Sequence, residues 1–242
     1  MKEILAAMHE SQEPDSSVLE PMWEELDACS MNDIENIAKI MSREEKFVKL
    51  MTFYRCAIME TETKLRVLDA EFGLQYDRNP FESIETRLKN PVSIVEKMIK
   101  RRVLLNVEEM EQEMTDIAGI RVVCSFKVDI YRLADLLALQ DDVLLIVKKD
   151  YIKKPKENGY RSLHLLIDIP IFVEEGKKHM KVEVQFRTIA MDFWASVDHK
   201  LKYKKEIKNP QEIAERLKRC AELLNGMDDE MESIRENIDM NN

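Results

Sequence analysis

The 242-residue chain is acidic, with 47 Asp and Glu against 37 Lys and Arg and a formal net charge of −10. Residues 1–42 hold ten acids and two bases, and residues 206–242 hold ten and five, so residues 43–205 keep a net charge of +3. An acidic protein with a cationic centre is poorly suited to gripping duplex DNA over a broad face, but it suits small polyphosphates held in a cleft.

The sequence carries no sign of export or membrane insertion. Lys2 and Glu3 interrupt any early apolar stretch, and the longest apolar runs, such as residues 143–147, are far too short to span a bilayer. The four cysteines are scattered without a Cys-x-x-Cys pair, which indicates reduced thiols, no zinc cluster and a cytoplasmic location. The five glycines form no phosphate loop or dinucleotide fingerprint, so side chains must hold any bound nucleotide.

The first half of the chain is predicted to be mostly helical. Apolar residues recur at helical spacing in residues 43–72, Gly73 fits a helix end, and Pro91 fits a first helical turn. Helices are therefore expected over residues 18–41, 43–72 and 92–103. Residues 73–90 hold two Asn-Pro pairs and show no clear period, so they are expected to be irregular.

From residue 118 the apolar period changes. In residues 181–186 it alternates, with Val182, Val184 and Phe186 on one face and polar side chains on the other. Strands are expected over residues 120–124, 143–147, 163–169 and 181–186, and helices over residues 129–139, 190–202 and 210–238. This order predicts an α+β fold with helices packed on a sheet. The chain is divided into an acidic N-terminal extension, a central domain and a C-terminal helix: residues 1–42, 43–205 and 206–242.

Residues 151–164, called the lysine loop below, carry more cationic and aromatic groups than a turn needs. An Asn-Gly pair suffices for a hairpin, whereas this stretch adds four cations, Tyr160 and His164. Phosphates favour Lys and Arg, and a nucleotide base favours a ring on which it can stack. The loop is interpreted as a nucleotide-binding element, and the alternative is a lysine-rich turn that is kept soluble by its charge.

A second cluster lies at the start of the helix predicted after Pro91. Lys89, Ser93 and Lys97 are spaced to converge there, where free backbone amides already favour anions. The cluster indicates phosphate binding, with a helix cap surrounded by solvated cations as the alternative.

Two acidic residues mark further candidate sites. Asp116 enters a buried strand five residues before Arg121, so it could ligate Mg²⁺ while the arginine lies over a base; a salt bridge between the two is the alternative. Glu183 shares the polar face of its strand with Gln185 and Arg187, and this face either meets solvent or lines a cleft. In a cleft, Glu183 could share the metal with Asp116 or accept a proton from a hydroxyl nucleophile.

Taken in order, these clusters resemble the motifs of the RelA/SpoT-homologue family of alarmone synthetases. The likeness covers about residues 80–205, and four co-linear motifs are far more specific than any one of them. The four histidines form no His-Asp pair, so the hydrolase activity of the long family members is not expected and the resemblance is to the single-domain small alarmone synthetases. The matching stretches are RLKNPVSIVEKM (87–98), DIAGIR (116–121), DYIKKPKENGYRSLH (150–164), VEVQFRT (182–188) and MDFWASVDHKLKYK (191–204).

The resemblance implies a Mg²⁺-dependent enzyme that transfers pyrophosphate from ATP to the 3′-hydroxyl of GDP or GTP and releases AMP. It implies a nucleotidyltransferase-like fold and a homotetramer, for which the amphipathic flanking helices are the candidate contacts. Single-stranded RNA is a further partner to consider, whereas DNA and membranes are not expected.

Residue roles carry over from the resemblance position by position. Arg87 and Arg121 are assigned to the adenine of ATP, and its phosphates are assigned to Lys89, Ser93 and Lys97. The guanine nucleotide is assigned to Tyr160, which would stack on the base, and to Lys156, Asn158, His164 and Gln185. Mg²⁺ is assigned to Asp116 and Glu183, and Glu183 would also activate the attacking hydroxyl.

Other functions on the same fold have different requirements. A non-catalytic regulator that binds guanine nucleotides or single-stranded RNA would not need Asp116 and Glu183. A nucleotidyl transferase would not need Tyr160 and His164 in a second-nucleotide loop, and a scaffold acting through its acidic ends would tolerate substitution of Glu183. The presence of all four residues favours the pyrophosphate-transferring enzyme.

Overall fold

The structure is a computed structural model that describes residues 16–75, 78–202 and 209–240. Its strands are β1 (Phe81–Leu88), β2 (Ala118–Cys124), β3 (Leu144–Asp150), β4 (Leu163–Val173) and β5 (Gly176–Thr188). The helices of these ranges are α1 (Ser16–Asp27), α2 (Met31–Met41), α3 (Glu45–Gln75), α4 (Pro91–Arg101), α5 (Val107–Glu113), α6 (Lys127–Ala138), α7 (Ile189–Lys202) and α8 (Pro210–Asp239). The strands form one sheet in the order β1-β2-β5-β4-β3, in which β2 and β5 run parallel and the other neighbours antiparallel.

The sheet buries one set of side chains in the core and turns the alternate set towards a cleft. On β5, Val182, Val184 and Phe186 are fully buried, and each such side chain contributes about 1.5–3 kcal/mol. Helix α3 packs against four of the five strands and adds Leu65 to the same core. The predicted α+β fold, a mixed sheet flanked by helices, is confirmed.

The expectation that residues 73–90 are irregular is wrong for residues 81–88, which form β1. This edge strand pairs with β2 and places Glu85 opposite Arg121 and Arg87 opposite Gly119. Most of its side chains are exposed or half-buried, so the sequence lacks the apolar alternation that marks a strand. The two Asn-Pro pairs flank β1 rather than interrupting it.

The remaining elements keep the predicted order, with four differences. The single helix expected over residues 18–41 is two helices, α1 and α2, because Ser30 caps a new helix at Met31, and α3 continues past Gly73, its expected end, to Gln75. Helix α5 was not predicted, and β4 and β5 extend further than expected to meet in a hairpin at Gly176. As predicted, Pro91 opens a helix; Asn90 caps it, since its Oδ1 accepts a hydrogen bond from the Ser93 amide at 2.8 Å. Within the ranges that the structure describes, no helix is both long and apolar enough to cross a membrane.

Helix α8 packs on α7 and reaches the lysine loop. Trp194 of α7 is buried with Leu217 and Ala221 of α8, and its indole N–H donates to the Leu217 carbonyl at 2.9 Å. A Cβ placed on Gly159 of the lysine loop would lie only 2.6 Å from the Cβ of Ala221. The C-terminal helix therefore supports both α7 and the loop.

Candidate active site

A cavity of about 350 Å³ opens where β1, β2 and β5 lie side by side. The parallel register explains its composition, because Gly119 lies opposite Glu183 and Arg121 opposite Gln185. Residues that are far apart in the chain therefore meet at one place, and the polar face of β5 lines a cleft. The lining side chains include Glu85, Arg87, Lys89, Asp116, Arg121, Glu183 and Gln185.

Asp116, two residues before β2, uses its two carboxylate oxygens differently. Oδ2 accepts hydrogen bonds from Nζ of Lys89 at 2.9 Å and from Nζ of Lys97 at 2.5 Å, whereas Oδ1 is buried without a hydrogen-bond partner among the described residues. Burial acts to raise the pKa of Asp116, but the bonds from the two lysines outweigh it and hold the pKa below its ordinary value. Asp116 is therefore an ionised carboxylate with one oxygen left for a ligand.

A cationic groove of about 580 Å³ continues from the cavity along α4. Arg87 and Lys89 line both spaces, and Ser93 and Lys97 lie further along the groove with two more cations. Only one acid, Glu96, is among its lining residues. Burial lowers the pKa of Lys97, and its hydrogen bond to Asp116 offsets only part of that effect. The groove has the charge that a chain of phosphates requires.

Glu183 lines the cavity and is held there by two neighbouring side chains. Its Oε2 accepts a hydrogen bond from the Gln185 side-chain amide at 2.7 Å, and its Oε1 lies 3.3 Å from Nδ1 of His164. Burial and the neighbouring Asp116 charge act to raise the pKa of Glu183, but the His164 and Gln185 contacts lower it below the ordinary value. Glu183 is therefore ionised at neutral pH and can accept a proton.

Tyr160 is connected to Glu183 through His164. Arg187 can only donate, so the Tyr160 oxygen accepts from Nη2 of Arg187 at 2.9 Å and is free to donate its own proton to Nε2 of His164 at 2.8 Å. A neutral imidazole then carries its proton on Nδ1 and donates it to Glu183. This arrangement gives a hydrogen-bond partner to the Tyr160 hydroxyl and to both ring nitrogens of His164, and it holds the tyrosine ring beside the cavity.

The other candidate residues of the lysine loop lie around Tyr160. Nζ of Lys156 is 4.8 Å from the centre of the Tyr160 ring and 4.7 Å from that of Tyr151. The Asn158 side chain accepts a hydrogen bond from the Tyr160 amide at 3.2 Å, which shapes the turn. Tyr151, Lys156 and Tyr160 therefore form an aromatic and cationic cluster, while residues 153–157 of the loop are exposed to solvent.

Arg121 does not pair with Asp116, so the salt bridge considered as an alternative is wrong. Its Nη1 lies 3.2 Å from Oε2 of Glu85 and 3.2 Å from Oδ1 of Asp192. Asp116 is instead engaged by Lys89 and Lys97, while Arg121 lines the cavity. Arg87, across the β1–β2 pair, lines the same cavity.

Comparison with known proteins assigns this arrangement to a family. A family model described as a region found in RelA / SpoT proteins matches residues 86–208, a range that contains every candidate site residue. The chain belongs to the RelA/SpoT family. Among its RelA/SpoT relatives, GTP pyrophosphokinase YwaC of Bacillus subtilis is 35% identical over 215 residues, 89% of this chain and 100% of YwaC. GTP pyrophosphokinase YjbM of the same species is 36% identical over 192 residues, 79% of this chain and 90% of YjbM.

Solved RelA/SpoT structures have the same fold. Small alarmone synthetase 1 from Bacillus subtilis, bound to its product pppGpp, superposes with a TM-score of 0.74 at 35% identity, covering 81% of this chain and 99% of that chain. The same synthetase bound to AMPCPP superposes with a TM-score of 0.68 at 31% identity, with the same coverage. The family resemblance inferred from the motifs is confirmed.

The RelA/SpoT cavity has carboxylates suited to a divalent cation. Mg²⁺ usually takes one or two protein carboxylates and completes its shell with water and substrate phosphates. The unpartnered Oδ1 of Asp116 fits that need, and Glu183 lines the same space. The described part of the chain has no group of three or more His, Cys, Asp and Glu side chains arranged for a metal.

Sequence reasoning gave no role to two residues that organise the RelA/SpoT site. Arg187 is buried and connects Tyr160 to Gln185 and Asp192. Its place on the polar face of β5 was the available signal. Asp192 gave no signal, because its contacts arise only when the start of α7 is placed beside β2 and β5.

Proposed function

We propose that the chain transfers pyrophosphate from ATP to the 3′-hydroxyl of GDP or GTP and releases AMP, which makes it an alarmone synthetase. One observation carries the proposal: two ionised carboxylates, Asp116 and Glu183, share a cavity that joins a cationic groove on one side and an aromatic, cationic loop on the other. The names of the relatives support it, as do the solved structures with pppGpp and AMPCPP.

The donor nucleotide would occupy the cavity and the cationic groove. Arg87 and Arg121 lie on neighbouring strands and line the cavity, so their guanidinium groups can stack on the adenine. Lys89, Ser93 and Lys97 would hold the phosphates. Because Arg87 and Lys89 line both the cavity and the groove, the base and the phosphates of one nucleotide could occupy the two spaces together.

The acceptor nucleotide would bind at the lysine loop. Its guanine would stack on Tyr160 and replace the Lys156 ammonium that lies over the ring, so that Lys156 becomes free to meet a phosphate. Asn158, His164 and Gln185 would complete the acceptor contacts. An acceptor bound there would lie close to the proposed base, because Tyr160 is connected to Glu183 through His164.

Asp116 and Glu183 would hold Mg²⁺ between the two nucleotides. The ion, when bound, would neutralise phosphate charge and orient the donor. Asp116 contributes its free Oδ1 while Lys89 and Lys97 keep Oδ2 in place.

Glu183 would act as the general base. It accepts the proton of the 3′-hydroxyl as that oxygen forms a bond to the β-phosphorus of ATP, and the bond from this phosphorus to the oxygen that bridges it to the α-phosphorus breaks. AMP leaves with that oxygen, and the β- and γ-phosphates remain on the guanine nucleotide.

The reaction is tested with γ-labelled ATP, Mg²⁺ and, in separate tubes, GDP, GTP or GMP. The proposal expects label on the guanine nucleotide and one AMP formed per label transferred. ADP as the second product would indicate transfer of a single phosphate, and free labelled pyrophosphate would indicate nucleotidyl transfer. Nucleotide binding without any product would favour the non-catalytic regulator.

The chain is further proposed to act as a cytoplasmic homotetramer. Helix α8 carries an exposed apolar stripe, and the accessible fractions of its members range from 44% to 71%. Such a stripe at helical spacing on a soluble chain is typical of a protein–protein contact. Its members are Leu223, Met227, Met231, Ile234 and Ile238.

A further inference from the structure

The donor and acceptor sides of the cavity are joined by one carboxylate to which no function has been assigned. Asp192 lies in the first turn of α7, where the helix N-terminus favours an acid. Its Oδ1 accepts a hydrogen bond from Nη1 of Arg187 at 2.9 Å and lies 3.2 Å from Nη1 of Arg121. One oxygen atom therefore contacts two guanidinium groups from different strands.

Arg121 and Arg187 lie on the sides of the cavity that are proposed for different nucleotides. Arg121 lines the cavity beside Arg87, on the side proposed for the ATP base. Arg187 donates through Nη2 to Tyr160 at 2.9 Å and to Gln185 at 2.8 Å, which are both on the side proposed for the guanine nucleotide. The contacts thus run without a break from the donor side to the acceptor side.

Burial along this row couples the movements of its side chains. The side chains of Arg187 and Asp192 are only 7% and 20% exposed, and Arg187 uses both terminal nitrogens in hydrogen bonds. A group that is fixed in this way cannot turn without moving its partners. Arg121 is the looser end, at 31% exposed and shared between Asp192 and the exposed Glu85.

We propose that Asp192 is a positioning residue that couples the two nucleotide sites, so that a bound donor increases the affinity for the acceptor. This inference rests on the proposed function. A base stacked on Arg121 fixes that guanidinium, which restricts Asp192, Arg187 and the Tyr160 ring in turn. Part of the entropy cost of ordering the acceptor site is then met before the acceptor arrives, which gives positive coupling without a change of shape.

Calorimetry on the full chain with Mg²⁺ tests the coupling at equilibrium. The GDP affinity is measured with and without AMPCPP, which has no bridging oxygen between its α- and β-phosphorus atoms and therefore cannot donate pyrophosphate. In the wild-type chain we expect AMPCPP to tighten GDP binding at least about fivefold, the lower end of allosteric couplings. In Asp192→Asn we expect the coupling ratio, which is the GDP affinity with AMPCPP divided by the GDP affinity without it, to fall to about one. Each nucleotide alone should bind within about twofold of wild type.

Two matched variants separate coupling from general damage. Glu85→Gln removes the other carboxylate that contacts Arg121, but Glu85 has no bond to Arg187 among the described contacts, so the coupling ratio should persist. Asp192→Glu restores the charge with one more methylene and should recover part of the ratio. Equal melting temperatures for the variants confirm that folding is intact.

The outcomes distinguish this inference from the proposed function. An Asp192→Asn chain that keeps the full coupling ratio, or that loses affinity for each nucleotide alone, would overturn the role of Asp192, and so would a wild-type chain with no coupling. Coupled binding of both nucleotides without transfer would contradict the proposed function and leave the linkage standing. Failure of the wild-type chain to bind either nucleotide would overturn both.

Discussion

At the scale of single residues, the site depends on the different contacts of the two carboxylate oxygens of Asp116. Two lysines hold Oδ2 and leave Oδ1 buried and available. The same contacts make the stability of the folded chain depend on pH. Because the pKa of Asp116 is lower in the folded chain than its ordinary value of 3.8, its contribution to stability is complete above that value and is lost as the pH falls through the folded-state pKa.

Asp116→Asn should therefore lower the free energy of unfolding at pH 7, and the difference from wild type should shrink at pH values below about 3.8. The variant leaves Lys89 and Lys97 close together without the carboxylate between them. Urea denaturation at a series of pH values measures the difference. Asp135→Asn breaks an exposed pair with Lys148 and serves as the control, because exposed pairs contribute only about 0–1 kcal/mol. A difference between wild type and Asp116→Asn that stays constant with pH would contradict the account.

Tyr160→Ala should weaken acceptor binding by about 1–3 kcal/mol, the range for a lost stacking partner, and leave donor binding unchanged. Tyr160→Phe keeps the ring and removes the hydroxyl that bonds to His164 and Arg187, so it should cost less. Calorimetry with GDP and with AMPCPP separates the two sites. An equal loss of both nucleotides in Tyr160→Ala would argue that the residue is structural.

The sequence indicated candidate site residues but not the contacts that they make. Residue types in the lysine loop and in DIAGIR were sufficient to suggest phosphate, base and metal contacts. The pairing of Asp116 with lysines and of Arg121 with Asp192 was not predictable, because it depends on which strands lie side by side. The parallel pairing of β2 with β5 is a tertiary contact, and no local sequence pattern indicates it.

At the scale of elements, the lysine loop is shaped by the C-terminal helix α8. Gly159 has φ +88, and its Cα faces Ala221 so closely that a methyl group would lie 2.6 Å from the Ala221 Cβ. Arg161 adds a bond from Nη1 to the Ala221 carbonyl at 3.4 Å. Glycine is required here for its positive φ and for the close approach.

Gly159→Ala should displace the loop from α8 and weaken GDP binding more than AMPCPP binding. Backbone strain of about 1–3 kcal/mol adds to the clash. Gly176→Ala is the matched control, since Gly176 has φ +113 but nothing within 4 Å of the added methyl group. Adding Ala221→Gly to Gly159→Ala relieves the clash and should restore part of the GDP affinity, as measured by calorimetry. Equal effects in the Gly159 and Gly176 variants would show that the contact with α8 is unimportant.

The elements themselves were predictable where they bury an apolar face. The alternation of β5 and the apolar period of α3 located both. Strand β1 was missed because it is an edge strand with polar side chains around the cavity. Because these polar side chains line the cavity, the sequence of β1 resembles that of a loop.

At the scale of the whole molecule, light scattering at micromolar concentration should give about four times the 28.5 kDa mass of the chain. The combined Met227→Glu and Met231→Glu variant places charge in the exposed stripe of α8 and should reduce the mass. Leu139→Glu changes an exposed apolar residue outside the stripe and should leave the mass unchanged. A monomeric wild-type mass would contradict the proposed tetramer.

The central claim is that Glu183 is the base between two bound nucleotides, and a single-turnover assay of Glu183→Gln tests it most directly. With saturating ATP, GDP and Mg²⁺, the variant should transfer label at least about 100-fold more slowly than wild type, the lower end for loss of a general base. Glu175→Gln, in the hairpin between β4 and β5, controls for the loss of a carboxylate elsewhere. Both nucleotides should still bind to Glu183→Gln within about threefold of wild type, because glutamine keeps the size of the side chain and one of its two acceptor oxygens. Transfer at the wild-type rate in Glu183→Gln would contradict the account.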